Sequence, residues 1–346
     1  MEIYIFNEQR ALEGIIESFE YFRWTRRYSF CGGFELKAPA TKLNISLLKV
    51  GSILWKNDDE EAGIIEYFEL SQTGKETLVV SGRFTTSMIG RRIIWGSEVL
   101  TTDLSLCIDQ LLNNHLISPT DPDRQMESFS FTPENLDIPV NTQISNENLL
   151  DAITALCDAS QVGIKTVFDP ASANFTVVLY QGVQSQAVFS KEYENLTDQV
   201  FTNSDRDFAN TALIGGEGEG TSRIYTAITQ GAGENRRELF VDAKDLRQED
   251  FGASYEQALL FRGVSKLAER QIAQSFDASV NLYGNLIYKV DYDLGQEVLV
   301  LSSAWGVSLN TRITEIEEIY DASGWSVNVV FGKGILTLQQ KLKGVR

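Results

Sequence analysis

The chain contains a single histidine, His115, so any imidazole chemistry must pass through one residue. A hydrolytic zinc needs two or three such ligands. A Ser-His-Asp or Cys-His site would need His115 beside a nucleophile, and no Gly-x-Ser-x-Gly surrounds any serine. His115 follows Asn113-Asn114 at the end of an apolar-periodic segment, where a histidine complements a helix dipole, and it reads as structural. The run Gly215-Gly216-Glu217-Gly218-Glu219-Gly220 follows the strand-like Thr211–Ile214. Its spacing is wrong for a dinucleotide loop, its two glutamates would repel a phosphate, and no helix pattern follows, so a β-connection is expected. Asp291-Tyr292-Asp293-Leu294-Gly295 alternates acids as a calcium loop does but lacks the later ligands, and reads as a turn. With 48 acidic residues, some carboxylate pair is always available, so no glycosidase pair can be singled out. No catalytic residue, metal site or cofactor is expected.

Arginines beside aromatics offer a different chemistry, that of protein interfaces, where Arg and Trp anchor contacts. Three clusters qualify: Arg23, Arg26 and Arg27 around Trp24; Arg91 and Arg92 before Trp95; and Arg236 with Arg237. All are candidate subunit-interface residues, able to meet an acidic patch on a neighbouring copy. The alternative is a strand carrying outward charges.

The net charge of −18, from 48 acids against 30 bases, opposes counterion release on a phosphate backbone and argues against nucleic-acid binding. Anionic membranes are disfavoured likewise; the charge otherwise serves solubility. Cys31, Cys107 and Cys157 are odd in number and far apart, with no Cys-x-x-Cys, so neither a zinc site nor a disulfide framework is indicated and a reducing compartment is expected. Met1-Glu2-Ile3-Tyr4-Ile5-Phe6 lacks the basic start of a signal peptide, and no long apolar run offers a membrane span.

The elements that would position these residues are mostly strands. Residues 1–90 show short β-rich runs at 14–22, 34–37, 52–55, 63–70 and 76–81, separated by the turn signals Cys31-Gly32-Gly33, Asn57-Asp58-Asp59 and Gln72-Thr73-Gly74. Residues 91–190 read as an α+β insertion. One helix would be capped at Thr101 or Thr102 and bury Leu104, Ile108, Leu111 and Leu112. A second, capped at Ser145, would bury Leu149, Ile153, Leu156 and Cys157. A loop over 119–139 lies between them, and a hairpin over 163–168 and 175–180 follows. Residues 191–346 return to strands around a helical insertion at about 254–275, with a capping box at Ser254 and Gln257 and with Leu260, Val264, Leu267 and Ile272 inward. The later strands are placed at 280–292, 297–301, 309–320 and 325–331.

A weak internal repeat links the two ends. Ile64, Glu66, Glu69 and Leu70 match Ile313, Glu315, Glu318 and Ile319; the same offset sets Leu78 and Val80 against Val327 and Val329. Gly51-Ser52-Ile53-Leu54 sits roughly where Gly295-Gln296-Glu297-Val298 does. Two similar β-modules in one chain are expected.

Several segments, in order, resemble the siphovirus-type phage tail hub family, akin to the trimeric baseplate hub of contractile tails and to the hub-like N-terminal region of tail-associated lysins. They are Trp24–Arg27 with Gly33–Leu36, Glu60–Glu66, Ser81–Phe84 with Arg91–Trp95, Leu149–Ala152, Ala212–Ile214 with Gly216–Gly220, Arg236–Leu239 and Val290–Gly295. No single segment is diagnostic; the ordered set is fairly specific, and it spans nearly the whole chain. The resemblance implies an α+β, mainly β fold of two tube-type β-barrels with small α+β insertion domains. It implies a homotrimer joining a six-fold tail tube to a three-fold spike or fibre. Its neighbours would be the distal tail or tube protein, the tape measure protein and a central spike or fibre protein. DNA would pass through its channel without specific binding. The protein would sit in a virion tail or tail-like particle assembled in the bacterial cytoplasm. Lysins of this kind carry a hydrolase after the hub; here the sequence ends at Arg346 after a short amphipathic stretch, Leu336 to Leu342, so no lytic activity is carried over. A cell-wall hydrolase is further disfavoured by the single histidine. A receptor-binding tail protein is the remaining alternative, its aromatics lying mostly in strand patterns.

Overall fold

Strands rich in β-branched and aromatic residues dominate the computed structural model, which describes residues 1–333. The amphipathic stretch at 336–342 lies outside the described residues. The largest sheet is built on eight long strands: β1 (Tyr21–Arg27), β2 (Gly33–Pro39), β3 (Tyr67–Thr73), β4 (Lys75–Arg83), β5 (Leu196–Ser204), β6 (Ala273–Val280), β7 (Val307–Asp321) and β8 (Gly324–Lys333). Their spatial order is β5-β6-β8-β7-β1-β2-β4-β3, and every neighbouring pair is antiparallel.

That order contains a repeat. The first unit runs β1-β2-β4-β3 and the second β5-β6-β8-β7, one pattern written twice, with β1 of the first joined to β7 of the second. The rungs agree in chemistry as well as topology. Leu36 pairs with Val80 and Ala38 with Leu78; Ala278 pairs with Val329 and Val280 with Val327; all eight are buried. The sequence match of Leu78 and Val80 to Val327 and Val329 is thus the structural one. The preceding strands are one residue out of the sequence offset, because Leu70 faces Leu78 whereas Glu318 faces Val327. The cause is the turn: Gly74 alone links β3 to β4, whereas Ala322-Ser323 links β7 to β8. Gly51 and Gly295, each entering a strand of the covering layer, both adopt left-handed φ (+91° and +85°), a conformation that favours glycine.

Each unit covers one face of its half-sheet. In the first, strands Ile3–Phe6, Leu12–Ile16, Ile53–Lys56 and Ala62–Ile64 form a second sheet, and Ile3, Ile5, Phe22, Trp24, Leu36 and Leu54 fill the space between. In the second, Gln184–Ser190 pairs with Glu297–Ser302, which pairs in turn with the first half of β7, so the cover over Phe189, Phe276, Val300 and Phe331 is a continuation of the large sheet. The expected barrels are therefore corrected to open layers: the long strands form one continuous sheet with edges at β3 and β5, and neither half closes on itself. The run expected at 14–22 is also two strands, broken at 17–20, and a short helix, Lys42–Leu47, escaped the pattern.

The units differ in what they carry. After β4, residues 97–180 hold helices α1 (Leu104–Leu112) and α2 (Leu149–Ala159) and a hairpin of Gly163–Asp169 with Asn174–Tyr180. The expected buried faces of both helices are buried, but the caps are Asp103 and Asn148, whose side chains accept from the first-turn amides. Between β5 and β6, residues 205–272 hold α3 (Tyr255–Ala268) and a sheet of Thr211–Gly215, Tyr225–Ile228 and Glu238–Asp242. This insertion is larger than the helix expected there. α3 stops at Ala268 because Ala273–Val280 is a strand, and its inward face is Tyr255, Ala258, Leu259, Gly263 and Leu267, leaving Val264 and Ile272 exposed.

Leu36, fully buried under the first unit's covering sheet, should report on that core. Leu36→Ala is expected to lower unfolding free energy by about 2–5 kcal/mol, read from a denaturant titration.

Candidate subunit-interface site

The strand that carries Arg23, Trp24, Arg26 and Arg27 lies at the middle of the sheet. There β1 pairs with β7: Arg27 faces Glu315, Arg26 faces Ile316, Trp24 faces Glu318 and Arg23 faces Ile319. Alternation sends these side chains to two faces. On the outer face Arg23 reaches Glu35 at 3.0 Å and Glu317 at 3.9 Å, and Arg27 reaches Glu315 at 2.6 Å. On the inner face Trp24 is fully buried against Phe84 and donates its indole N–H to Asp59 at 3.1 Å. Arg26 donates to Asp293 at 2.7 Å and to the Tyr288 hydroxyl at 3.2 Å, and lies 3.6 Å from Asp59. These four residues are engaged within the chain, across the joint between its two units.

Behind Arg26 the joint continues as a buried ionic cluster. Lys56, wholly buried, lies 2.8 Å from the equally buried Glu318 and 3.0 Å from Asp58. Glu318 also accepts from Tyr320 at 2.7 Å and Tyr288 at 3.2 Å, and Lys289 stands 3.7 Å away. Burial pushes the Asp59 carboxyl up, but Arg26, Lys289 and Lys56 outweigh it and hold it below the usual range. Glu61 is the exception: burial first, then Asp59, push it up to about 8 against the pull of Arg26 and Lys165.

The second cluster is on the surface. Arg91, Ile93 and Trp95 are exposed, Trp95 by 57% of its area. Arg124, which the sequence reading missed inside the Asp-rich loop, lies over the Trp95 ring at 4.1 Å and donates to the Ile93 carbonyl at 2.6 Å. Arg92 donates to the Arg124 carbonyl at 2.7 Å. Burial lowers its guanidinium, and the charges acting on it are the like charges of Arg124 and Arg91. Arg124 thus packs on an exposed tryptophan, with Arg92 and Arg91 close enough to repel one another, in an acidic protein. The third cluster is occupied locally: Arg236 pairs with Glu238, and Arg237 pairs with Asp205 and lies over Phe208.

His115 is a fastener. Buried, it meets Glu98 at 2.9 Å, and Glu98 also accepts from Gln110 and Asn114, which ties strand Ser97–Leu100 to the end of α1. Burial lowers its pKa despite Glu98. The Gly-rich run links two paired strands, and Arg223 folds back over Gly215 to donate to its carbonyl at 2.7 Å. Cys31 is pushed up to about 12 by burial, and all three cysteines are free. Among the described residues no group of three or more His, Cys, Asp or Glu could hold a metal ion, and no helix is long and apolar enough to cross a membrane. A cleft of about 1070 Å³ opens beside the β7–β8 turn, lined by Phe19, Tyr21, Tyr320 and Trp325 among others.

Removing one partner of a buried ion pair strands the other charge. Lys56→Met is therefore expected to cost about 3–5 kcal/mol, and Lys56→Met with Glu318→Leu less than that, in urea titrations of both variants. The Glu61 proton has its own signature. Its folded pKa is raised, so its contribution to stability is complete below the ordinary value of 4.5 and is lost as pH rises through about 8. Glu61→Gln cannot ionise, and its urea midpoint should fall less than the parent's between about pH 5 and about pH 9.

Known proteins share this architecture. The 43 kDa tail protein of prophage MuSo2 from Shewanella oneidensis aligns with a TM-score of 0.63 at 15% identity, covering 96% of this chain and 98% of that one. Prophage tail protein gp18 from Listeria monocytogenes aligns with a TM-score of 0.60 at 15% identity, covering 100% and 99%. A tail protein from Neisseria meningitidis aligns with a TM-score of 0.59 at 11% identity, covering 96% of each. At such identities the likeness is one of fold. No curated protein sequence matches the chain. The family model of the Siphovirus ReqiPepy6 Gp37-like protein matches residues 2–333, and the chain belongs to that family of phage tail proteins.

Proposed function

We propose that the protein is a structural hub of a phage or phage-like tail tip or baseplate. Three copies form a ring that joins the six-fold tail tube to a three-fold central spike or fibre. One observation carries this reading: the chain repeats a four-stranded unit in one strand order, head to tail, within a single sheet. A closed ring of three such chains presents six like units. The insertions do not repeat, since one follows β4 and the other lies between β5 and β6. A six-fold partner can therefore dock on the sheet layer, and a three-fold partner on the insertions.

The same reading makes a tube protein and a tape measure protein the neighbours on one side and a spike or fibre protein the neighbour on the other, in a particle assembled in the bacterial cytoplasm. The Arg91, Arg92, Trp95 and Arg124 patch then serves as a contact for an acidic surface of one of them. The net charge of −18 keeps DNA from adhering as it passes through the channel. The role is structural, and no reaction is assigned to it.

Light scattering behind size exclusion tests the ring. The expected mass is three times the 38.7 kDa of the chain. A protein that stays monomeric at the highest attainable concentration, alone and with the cognate tube protein, overturns the hub reading.

A further inference from the structure

Among the described residues, every arginine of the first unit but one has a carboxylate within ion-pair reach. Arg23, Arg26, Arg27 and Arg83 meet Glu35, Asp59, Glu315 and Glu66. The exception is Arg10, whose Nη1 is buried with no hydrogen-bond partner among the described residues. A buried guanidinium nitrogen without an acceptor loses its hydration and gains nothing in return.

The backbone sets this arginine where an arginine is not expected. Strands Ile3–Phe6 and Leu12–Ile16 are joined by a tight loop, in which Arg10 donates its N–H to the Asn7 carbonyl at 2.8 Å and Asn7 donates to the Ala11 carbonyl at 2.9 Å. A three-residue hairpin loop of this kind ends on a left-handed residue, a position that glycine fills without strain. Here it is Arg10, with a φ of +65°. A long charged side chain kept at such a position points to a use for that side chain.

A pocket of about 390 Å³ supplies the use. One wall is this loop, with Phe6, Arg10 and Leu12; the other is the turn at residues 170–173, in the hairpin of the first insertion. That turn is built alike: Ala173 donates to the Asp169 carbonyl at 2.7 Å and has a φ of +55°. Phe6 packs edge-on against Phe168, so the pocket lies at the seam between the first unit's covering sheet and the insertion. Arg10 is the one charged residue in its lining, in a chain with 48 acids. The nearby acids are engaged elsewhere. Asp169 accepts from the Ala171 N–H at 3.0 Å and the Ser172 hydroxyl at 2.6 Å, Glu13 accepts from the Asn7 side chain at 3.4 Å, and the Glu8 carboxylate lies against Gly51.

We propose that this pocket binds an oxyanion, a carboxylate or a phosphate group, on the Arg10 guanidinium. Both groups present paired oxygens to the planar fork of N–H donors, and charge-assisted bonds of this kind are the strong ones. Phe6, Leu12 and Pro170 make an apolar wall that lowers the local dielectric and strengthens the attraction. Gln9, in the same lining, offers amide N–H groups as further donors. The bound group bridges the covering sheet and the insertion, so it fastens the seam between them. The site does not depend on how many copies assemble.

The test is calorimetric titration of the full chain with sodium phosphate and with sodium acetate, against sodium chloride at matched ionic strength. Saturable binding of at least one oxyanion is expected, and none of chloride. A response to phosphate alone assigns a phosphate ligand; a response to acetate assigns a carboxylate. Arg10→Met should weaken binding by about tenfold or more, and Arg10→Lys by less, since lysine keeps the charge without the fork. Arg10→Gly guards against a variant that misfolds, because glycine suits the left-handed loop. It should be as stable as the parent in chloride, and its unfolding midpoint should gain less from the oxyanion than the parent's does. On the parent, the oxyanion should slow hydrogen exchange at residues 7–11 and 170–173 together. No binding by the parent, or equal binding by the parent and Arg10→Met, overturns the site. An Arg10→Gly chain less stable than the parent in chloride overturns it too, because Arg10 then serves the fold alone.

Discussion

Antiparallel pairing of β1 with β7 holds the molecule together as one body. The two strands come from opposite ends of the sequence, and their contact turns two half-sheets into one. Backbone bonds alone would permit a slip by one or two residues. The side chains remove that freedom. Arginines on β1 meet glutamates on β7 on the outer face, and Trp24, Arg26 and Glu318 interlock with Asp59 and Lys56 on the inner face. A buried ionic cluster adds little net stability compared with apolar packing. Its value here is registry, since each charge has a fixed address.

Much of this was legible in the sequence, and the reasons are specific. Leu104, Ile108, Leu111 and Leu112 recur at helical spacing and are buried as that spacing requires. Leu78 and Val80 resembled Val327 and Val329 because they occupy the same rung of two copies of one unit. The caps were misplaced by one to three residues because Thr101, Thr102 and Ser145 are also good cap types, and only the fold shows that Ser145 ends a strand. The inward face of α3 was misjudged at Val264 and Ile272 because a helix with apolar residues on several sides gives no unique stripe.

The candidate site was legible by type but not by destination. Arginine beside tryptophan describes an interface, and Trp24 with its arginines lies at the joint between the chain's two units. Sequence cannot separate these cases because Glu315, the partner of Arg27, lies 288 positions away. Arg91, Arg92 and Trp95 looked no different in sequence and are the cluster that faces outward.

The span between β1 and β7 also bears on how the chain comes to be made. Contacts between residues so far apart form late, because the long intervening loop must close first and β7 is made after every other strand of the sheet but β8. The N-terminal unit has all four of its own strands by residue 83, and so stands with β1 unpaired on one side until β7 is made. In that interval Arg23 and Arg27 on β1 have a second use. Charges on an open edge discourage chance pairing with another nascent chain, and like charge makes two such edges repel. The glutamates of β7 cancel that repulsion when they arrive, so the residues that keep the edge solitary during synthesis are the ones that recognise its proper mate.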